Sequence, residues 1–261
     1  MIADLYERVG ITAGHHIMMH SSFRKIRSAF PGITIDEVIN SLQKIITERG
    51  SLIMPSFTYC FKRKEGNFQV YSKERSTSKT GAVTEYFRHQ PGVIRTSSPT
   101  HSFALSGYIT NFINEDNSPE SPLGKGSVPD WLARRHNSYI LMLGADFSSL
   151  SFGHYLETIA PVPWSDISPW DYLQVEKVGV SITGEQNLIE VPGCAKQFIS
   201  FQEFLGVKGL LKEFNYYGLQ VIFVPVSLLI DEGVPYFRNN FNTLLCADGI
   251  CSACDSRRNL I

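Results

Sequence analysis

The 261-residue chain has no dense run of lysine or arginine. Its 24 basic and 25 acidic residues give a formal charge of −1, so the basic stripe of a dedicated nucleic-acid binder is absent. Long apolar runs are also lacking. The longest, VIFVPVSLLI (221–230), is half a membrane span and contains a proline, which fits a buried strand and argues against a membrane partner. The opening MIADLYERVGITAG has neither a basic n-region nor an apolar h-region, so a cytoplasmic location is expected. Five cysteines, an odd count without a secretory leader, do not suggest a disulfide framework. Cys60 and Cys194 stand isolated, while Cys246, Cys251 and Cys254 share the stretch CADGICSAC. C-x4-C-x2-C is the spacing of a zinc or iron–sulfur half-site, but no fourth ligand follows it. Free thiols in a packed tail, and no metal, are the expectation. No internal repeat or low-complexity linker divides the chain, so one domain over 1–261 is expected.

What is present is ample material for a core: 43% of residues are hydrophobic and 12% aromatic, which excludes disorder. Short apolar runs alternate with helical periodicity through the first 160 or so residues. HHIMMHSS (15–22), SLIMPSF (51–57) and YILMLGADF (139–147) read as strands. ITIDEVINSLQKIITERG (33–50) keeps Val38, Ile39, Leu42, Ile45 and Ile46 on one helical face and stops at Gly50. Further helices are expected at GAVTEYFRHQPG, at VPDWLARRHN (128–137) and at GHYLETIAPVPW, where Pro161 and Pro163 end the helix. Beyond residue 165 the alternation in 171–182, followed by LIEVPG, suggests antiparallel pairing. An amphipathic stretch, 201–218, and a last strand, LQVIFVPVSLL, close the pattern. The expected fold is α/β: three α/β/α layers, a largely parallel central sheet and a smaller antiparallel lobe in the C-terminal part.

Polar signals collect where these strands end, as sites in open α/β sheets do. They are HSSFRKIRS (20–28), MPSF (54–57), SKTGAVTEYFR (78–88), GVIRTSSPTHSF (92–103), LGKGS (123–127), LMLGADF (141–147) and HYLETIAPVPW (154–164). In order and spacing these seven segments resemble the aminoglycoside 3-N-acetyltransferase family, CoA-dependent enzymes unrelated in fold to the GNAT acetyltransferases. The resemblance runs from about Leu5 to Trp164 and continues weakly beyond. Two departures stand out: Leu156 replaces the family's usual alanine before the glutamate, and CSACDSRRNLI ends where many relatives continue.

The resemblance implies an acetyl-CoA-dependent N-acetyltransferase acting on a small amino-sugar acceptor of the aminoglycoside type; a homodimer is left open. Acetyl transfer from a thioester needs a base for the attacking amine, stabilisation of the carbonyl oxygen and a hold on the CoA arm. His154 is the candidate base, because an imidazole titrates near working pH. Glu157, at i+3, would orient the imidazole or pair with the acceptor's ammonium. Read without the resemblance, the two are a surface pair on a solvated helix. His101 is the alternative base. Ser21, Ser22, Phe23 and Arg24 match the family segment lining the CoA arm, with Arg24 or Arg27 meeting phosphate. Thr100 and Ser102 would donate hydrogen bonds near the thioester, and Thr80 sits before a helix where an anion could dock. His20 and His101 could in principle join His154 around a metal, but H-x-x-E is not the H-E-x-x-H pattern. Glu115, Asp116, Glu120 and Asp146 are the acids available to a polycationic acceptor and do not cluster. A sugar amine of a cell-surface polysaccharide pathway, nucleotide-linked or free, is therefore the alternative acceptor. A metal-dependent or non-catalytic protein on the same scaffold is the more distant one.

Overall fold

The computed structural model describes residues 1–164, 174–189, 193–259 and 261. A seven-stranded sheet, ordered β4-β5-β2-β1-β6-β10-β9, forms its middle layer. At the centre lie β1 (His16–Ser21), β2 (Ser51–Pro55) and β6 (Ser138–Leu143). Both β1–β2 and β1–β6 are parallel. On one flank β5 (Phe103–Gly107) and β4 (Ile94–Arg95) add antiparallel to β2, and on the other β10 (Leu219–Pro225) and β9 (Glu213–Tyr216) add antiparallel to β6. Parallel pairing, expected for most of the sheet, lies at its three central strands. The outermost strands β4 and β9 join β5 and β10 through short reversals, which permit only antiparallel pairing, whereas β5 and β10 reach β2 and β6 across long connections that contain helices.

Both faces of the sheet are buried because its strands are apolar on both sides. Ile17, Met19, Leu52, Met54, Leu141 and Leu143 pack with α1 (Ile2–Val9), α2 (Phe23–Ala29), α3 (Ile35–Ile46) and α4 (Ala82–Phe87). Their alternate neighbours Met18, Ile53, Ile140 and Met142 face α5 (Val128–Ala133), α6 (Ser151–Ile159), α7 (Ile199–Val207) and α8 (Val226–Asn239). Period-2 side chains on a doubly covered sheet give the three expected layers. Burying each such side chain contributes about 1.5–3 kcal/mol.

Local signals place the helices. Thr34 caps α3 by accepting from Glu37 N, and the Glu37 carboxylate accepts from Thr34 N at 2.8 Å, a reciprocal capping box. Ser127 caps α5, with Pro129 in its first turn. The smaller sheet is β3 (Phe61–Arg63), β7 (Val175–Ser181) and β8 (Gly184–Asn187), all antiparallel. It realises the expected lobe, although one strand comes from early in the chain. Residues 171–173 and 190–192 of the expected hairpin lie outside the described residues.

Two expectations change. The amphipathic stretch 201–218 is two elements: α7 stops at Val207, Gly209 takes φ +67°, and Glu213–Tyr216 pairs with β10. Within that stretch Phe214 and Tyr216 alternate with Glu213 and Asn215, a period-2 pattern inside an apparent helix. The last strand ends at Pro225, and Val226–Leu229 already begin α8. α1, which the pattern reading passes over, and α9 (Ser252–Arg258) complete the chain. Among the described residues no helix is long and apolar enough to cross a membrane.

Candidate active site

A cavity of about 580 Å³ opens at the C-terminal ends of β1, β2 and β6. Its lining includes His20, Ser21, Tyr59, Lys79, Thr80, Ser148, Ser149, Ser151 and His154. The parallel centre of the sheet sets this place, since the loops leaving three neighbouring strands converge there. Gly193 and Ala195, from much later in the chain, form part of the wall.

His154 sits in the first half of α6, buried, with Nδ1 2.7 Å from Glu157 Oε2. One helical turn brings i and i+3 together, so the pair is made within one element. Phe198 meets the imidazole edge-on with centroids 5.1 Å apart. Gly153 makes that approach possible: a Cβ there would lie 2.5 Å from the Phe198 ring. Glu157 is buried and does not line the cavity. Trp164 Nε1 donates to its Oε1 at 3.1 Å, and Arg257 Nη1 lies 3.2 Å from the same oxygen. Burial works to raise the carboxyl's pKa; Arg257, His154 and Trp164 outweigh it and hold the pKa below the usual range. Glu157 is therefore an anion at neutral pH. An anion at Nδ1 keeps the proton on that nitrogen and leaves Nε2 as the acceptor.

His101 is elsewhere in character. It is buried and does not line the cavity. The rings of Phe57 (4.7 Å) and Tyr59 (5.4 Å) meet it edge-on, and Thr100 Oγ1 lies 3.0 Å from Nδ1. Burial, with His154 nearby, lowers its pKa to about 3. Thr100 and Ser102 are fully buried behind the same aromatic wall. Ser102 Oγ donates to Ser56 O at 2.6 Å and accepts from Arg95 Nε at 3.1 Å. Arg95 also donates to Ser76 O and Lys73 O, so the GVIRTSSPTHSF segment ties cavity loops together.

Of the residues assigned to the CoA arm, Ser21 and Thr80 line the cavity. Ser22 occupies the N-cap position of α2 without a side-chain hydrogen bond to it, Phe23 packs half-buried into the core beneath it, and Arg24 and Arg27 are exposed on the same helix. None of these four lines the cavity. Glu115, Asp116, Glu120 and Asp146 do not line it either: Glu115 pairs with Lys73, and Asp146 caps the turn at Ser148.

Lys79 and Gly81, which with Thr80 precede a helix where the sequence allows an anion contact, line the cavity too. Sequence reasoning left out His20, Ser148, Ser149 and Ser151 as cavity residues, and Trp164 and Arg257 beneath the pair. From the sequence His20 offers itself only as a metal ligand. It ends β1 beside Ser21, its Nε2 has no hydrogen-bond partner, and burial lowers its pKa to about 4. Its strand-end position was the available signal. For Arg257 nothing local pointed to the site. The cysteines require a correction. Cys194, read as isolated, meets Cys246, Cys251 and Cys254, with all four Sγ atoms within 4.8 Å of one another. Cys194 is thus the fourth sulfur that C-x4-C-x2-C lacks in the sequence.

A family model described as aminoglycoside 3-N-acetyltransferase matches residues 18–238. The chain belongs to this family. It is 30% identical over 178 residues to the SPbeta prophage-derived aminoglycoside N(3')-acetyltransferase-like protein YokD of Bacillus subtilis strain 168. That alignment covers 61% of this chain and 64% of the relative, a little under two thirds of its length. The crystal structure of the aminoglycoside acetyltransferase AAC(3)-IVa apoenzyme superposes with a TM-score of 0.81 at 22% identity, over 100% of this chain and 96% of that one. The binary complex of AAC-IIIb with CoASH gives a TM-score of 0.71 at 18% identity, over 92% and 95%. At these identities the structures establish the shared fold.

Proposed function

We propose that this family member transfers an acetyl group from acetyl-CoA to the amine of an amino sugar, with His154 as general base and Glu157 as the residue that orients it. The observation that carries this reading is the 2.7 Å contact between His154 Nδ1 and a buried, anionic Glu157, made by a histidine that itself lines the cavity. The acceptor's nitrogen forms the new bond to the acetyl carbonyl carbon and gives its proton to His154 Nε2. The C–S bond then breaks, and the proton passes to the departing CoA sulfur. The cavity suits the donor: Ser21, Thr80, Ser148, Ser149 and Ser151 offer hydroxyls to pantetheine amides, and exposed Lys79 offers a cation to phosphate. The relative solved with CoASH bound supports that donor.

The aminoglycoside class of acceptor rests on the family and on the names its relatives carry. One observation favours the second reading, a less cationic amino sugar of a polysaccharide pathway: none of the described residues lining the cavity is acidic.

The test is CoA thiol release from acetyl-CoA against a panel of aminoglycosides and nucleotide-linked amino sugars. His154→Ala is expected to lower kcat about 10²–10⁴-fold with acetyl-CoA affinity retained. Near-normal turnover by that variant would refute the assignment of the base.

A further inference from the structure

The four clustered cysteines take no part in the chemistry above. Cys246 and Cys254 are buried, and Cys194 and Cys251 are half-buried. Cys194 Sγ lies 3.7 Å from Cys246 Sγ, and no pair among the four exceeds 4.8 Å. Four sulfurs at about 2.3 Å from a tetrahedral zinc lie about 3.8 Å from one another, so one contact already has that spacing and the others need only small side-chain rotations. Disulfides would draw the sulfurs together only two by two, whereas here all four free thiols converge on one point. Sulfurs this close leave no room for the iron and sulfide atoms of a cluster. An all-sulfur tetrahedral set with no histidine or carboxylate is the donor set of a closed structural zinc site.

The surrounding chain already has the required shape. Gly249, at φ +72°, turns the loop between Cys246 and Cys251. Asp255 accepts from Gly249 N at 3.2 Å and from Arg258 Nη1 at 2.8 Å, and Arg258 also donates to the Cys246 carbonyl. The loop is braced from outside, as ligating loops are by their supporting hydrogen bonds.

Position gives the cluster a consequence. Cys194 stands between Gly193 and Ala195, both in the cavity wall, and it is 52 residues from Cys246. Cys251 and Cys254 lead α9, which carries Arg257. Arg257 is 4% exposed, stacks over Trp164 at 5.0 Å and faces Glu157. It passes so close to Gly193 that any side chain there would collide with its guanidinium. An ion held by all four sulfurs would fasten the 193–195 segment to α9 on one side of Arg257, with Glu157 on the other.

We propose that Cys194, Cys246, Cys251 and Cys254 bind one zinc ion, a structural pin that holds α9 against the cavity wall and keeps Arg257 beneath Glu157. Binding replaces the thiol protons with the metal and releases them to solvent.

The full chain, without a histidine tag, is purified from zinc-supplemented medium, desalted and analysed by elemental mass spectrometry. One zinc per chain is expected, released as an organomercurial titrates the thiols and a chromogenic chelator reports the metal. Cys60→Ser should keep its zinc, whereas Cys194→Ser and Cys251→Ser should fall below about 0.1 equivalents after brief chelation. Because a cysteine variant can fail to fold, wild-type protein is also reconstituted with cobalt, where the intense visible spectrum of a tetrathiolate site is expected. Chelated wild-type protein should exchange the amides of 251–258 at least about tenfold faster, with those of β1 unchanged. A metal-free reduced protein with five titrating thiols, iron in place of zinc, or zinc retained by Cys194→Ser would overturn the assignment. Unchanged exchange in α9 on zinc removal would overturn the pinning role. None of these readouts depends on acetyl transfer.

Discussion

Two groups of chemically active side chains lie on either side of Arg257, and they are built on opposite principles. His154 and Glu157 are complementary partners, three residues apart on one helix, hydrogen-bonded to each other and, through Glu157, to Trp164, with one imidazole nitrogen left over for a substrate. The cysteines are four like groups, drawn from two distant segments, whose convergence has no complement within the protein. A pair that satisfies itself on one side can do chemistry on the other. A cluster of identical donors instead needs a central ion, and once filled has no open position. The difference separates a reactive site from a structural one without appeal to either site's neighbours in sequence.

The comparison breaks most visibly at the residue between the two groups. Arg257→Met should leave Glu157 buried with its strongest opposing charge removed, costing about 3–5 kcal/mol of stability in urea unfolding at pH 7. Glu157's folded pKa is depressed, so its contribution is present above the unfolded carboxylate value and lost as pH falls through the folded one. In Arg257→Met that loss should begin at a higher pH. An unchanged acid limb would mean that Arg257 does not set the state of the pair.

Buried histidines sharpen the contrast between a tuned group and groups that are merely enclosed. His16 and His20 are lowered to about 4 and His101 to about 3, each chiefly by burial. Between about pH 6.5 and 4 the unfolded chain binds protons at these sites that the folded chain refuses. Stability should therefore fall on acidification by about 1.4 kcal/mol per pH unit for each of them. His101→Phe should flatten the urea midpoint's pH dependence by one such increment, and an unaltered slope would show that His101 is protonated in the folded protein.

The smallest effects are expected at the exposed basic side chains. Lys79→Ala should raise the acetyl-CoA KM about tenfold, the weight of a charge-assisted hydrogen bond. Arg24→Ala and Arg27→Ala should change it by less than about threefold, as exposed, screened charges do. The reverse order would return the phosphates to α2.

Much of the frame was legible from sequence because it rests on local rules. The capping box at Thr34, the apolar runs with both alternating faces buried, and an i, i+3 pair behind Gly153 are all written in contiguous residues. Legibility ended where the determinant was not local. The 201–218 stretch divides because Phe214 and Tyr216 gain partners in β10, which periodicity cannot weigh. Arg24 and Arg27 follow the HSS segment in sequence, yet the helix they occupy turns them to solvent. Cys194 and Arg257 join their sites only through tertiary contact across long separations, so spacing rules had nothing to register.

The central claim is that His154 and Glu157 act as one unit, and a double-mutant cycle measures it directly. Steady-state CoA release is compared for His154→Ala, Glu157→Gln and the double variant, with zinc content checked in each. The account predicts two large single losses that do not add: the double variant is little worse than the poorer single one. Losses that multiply would contradict it, assigning Glu157 to the acceptor's ammonium group and leaving His154 without its partner.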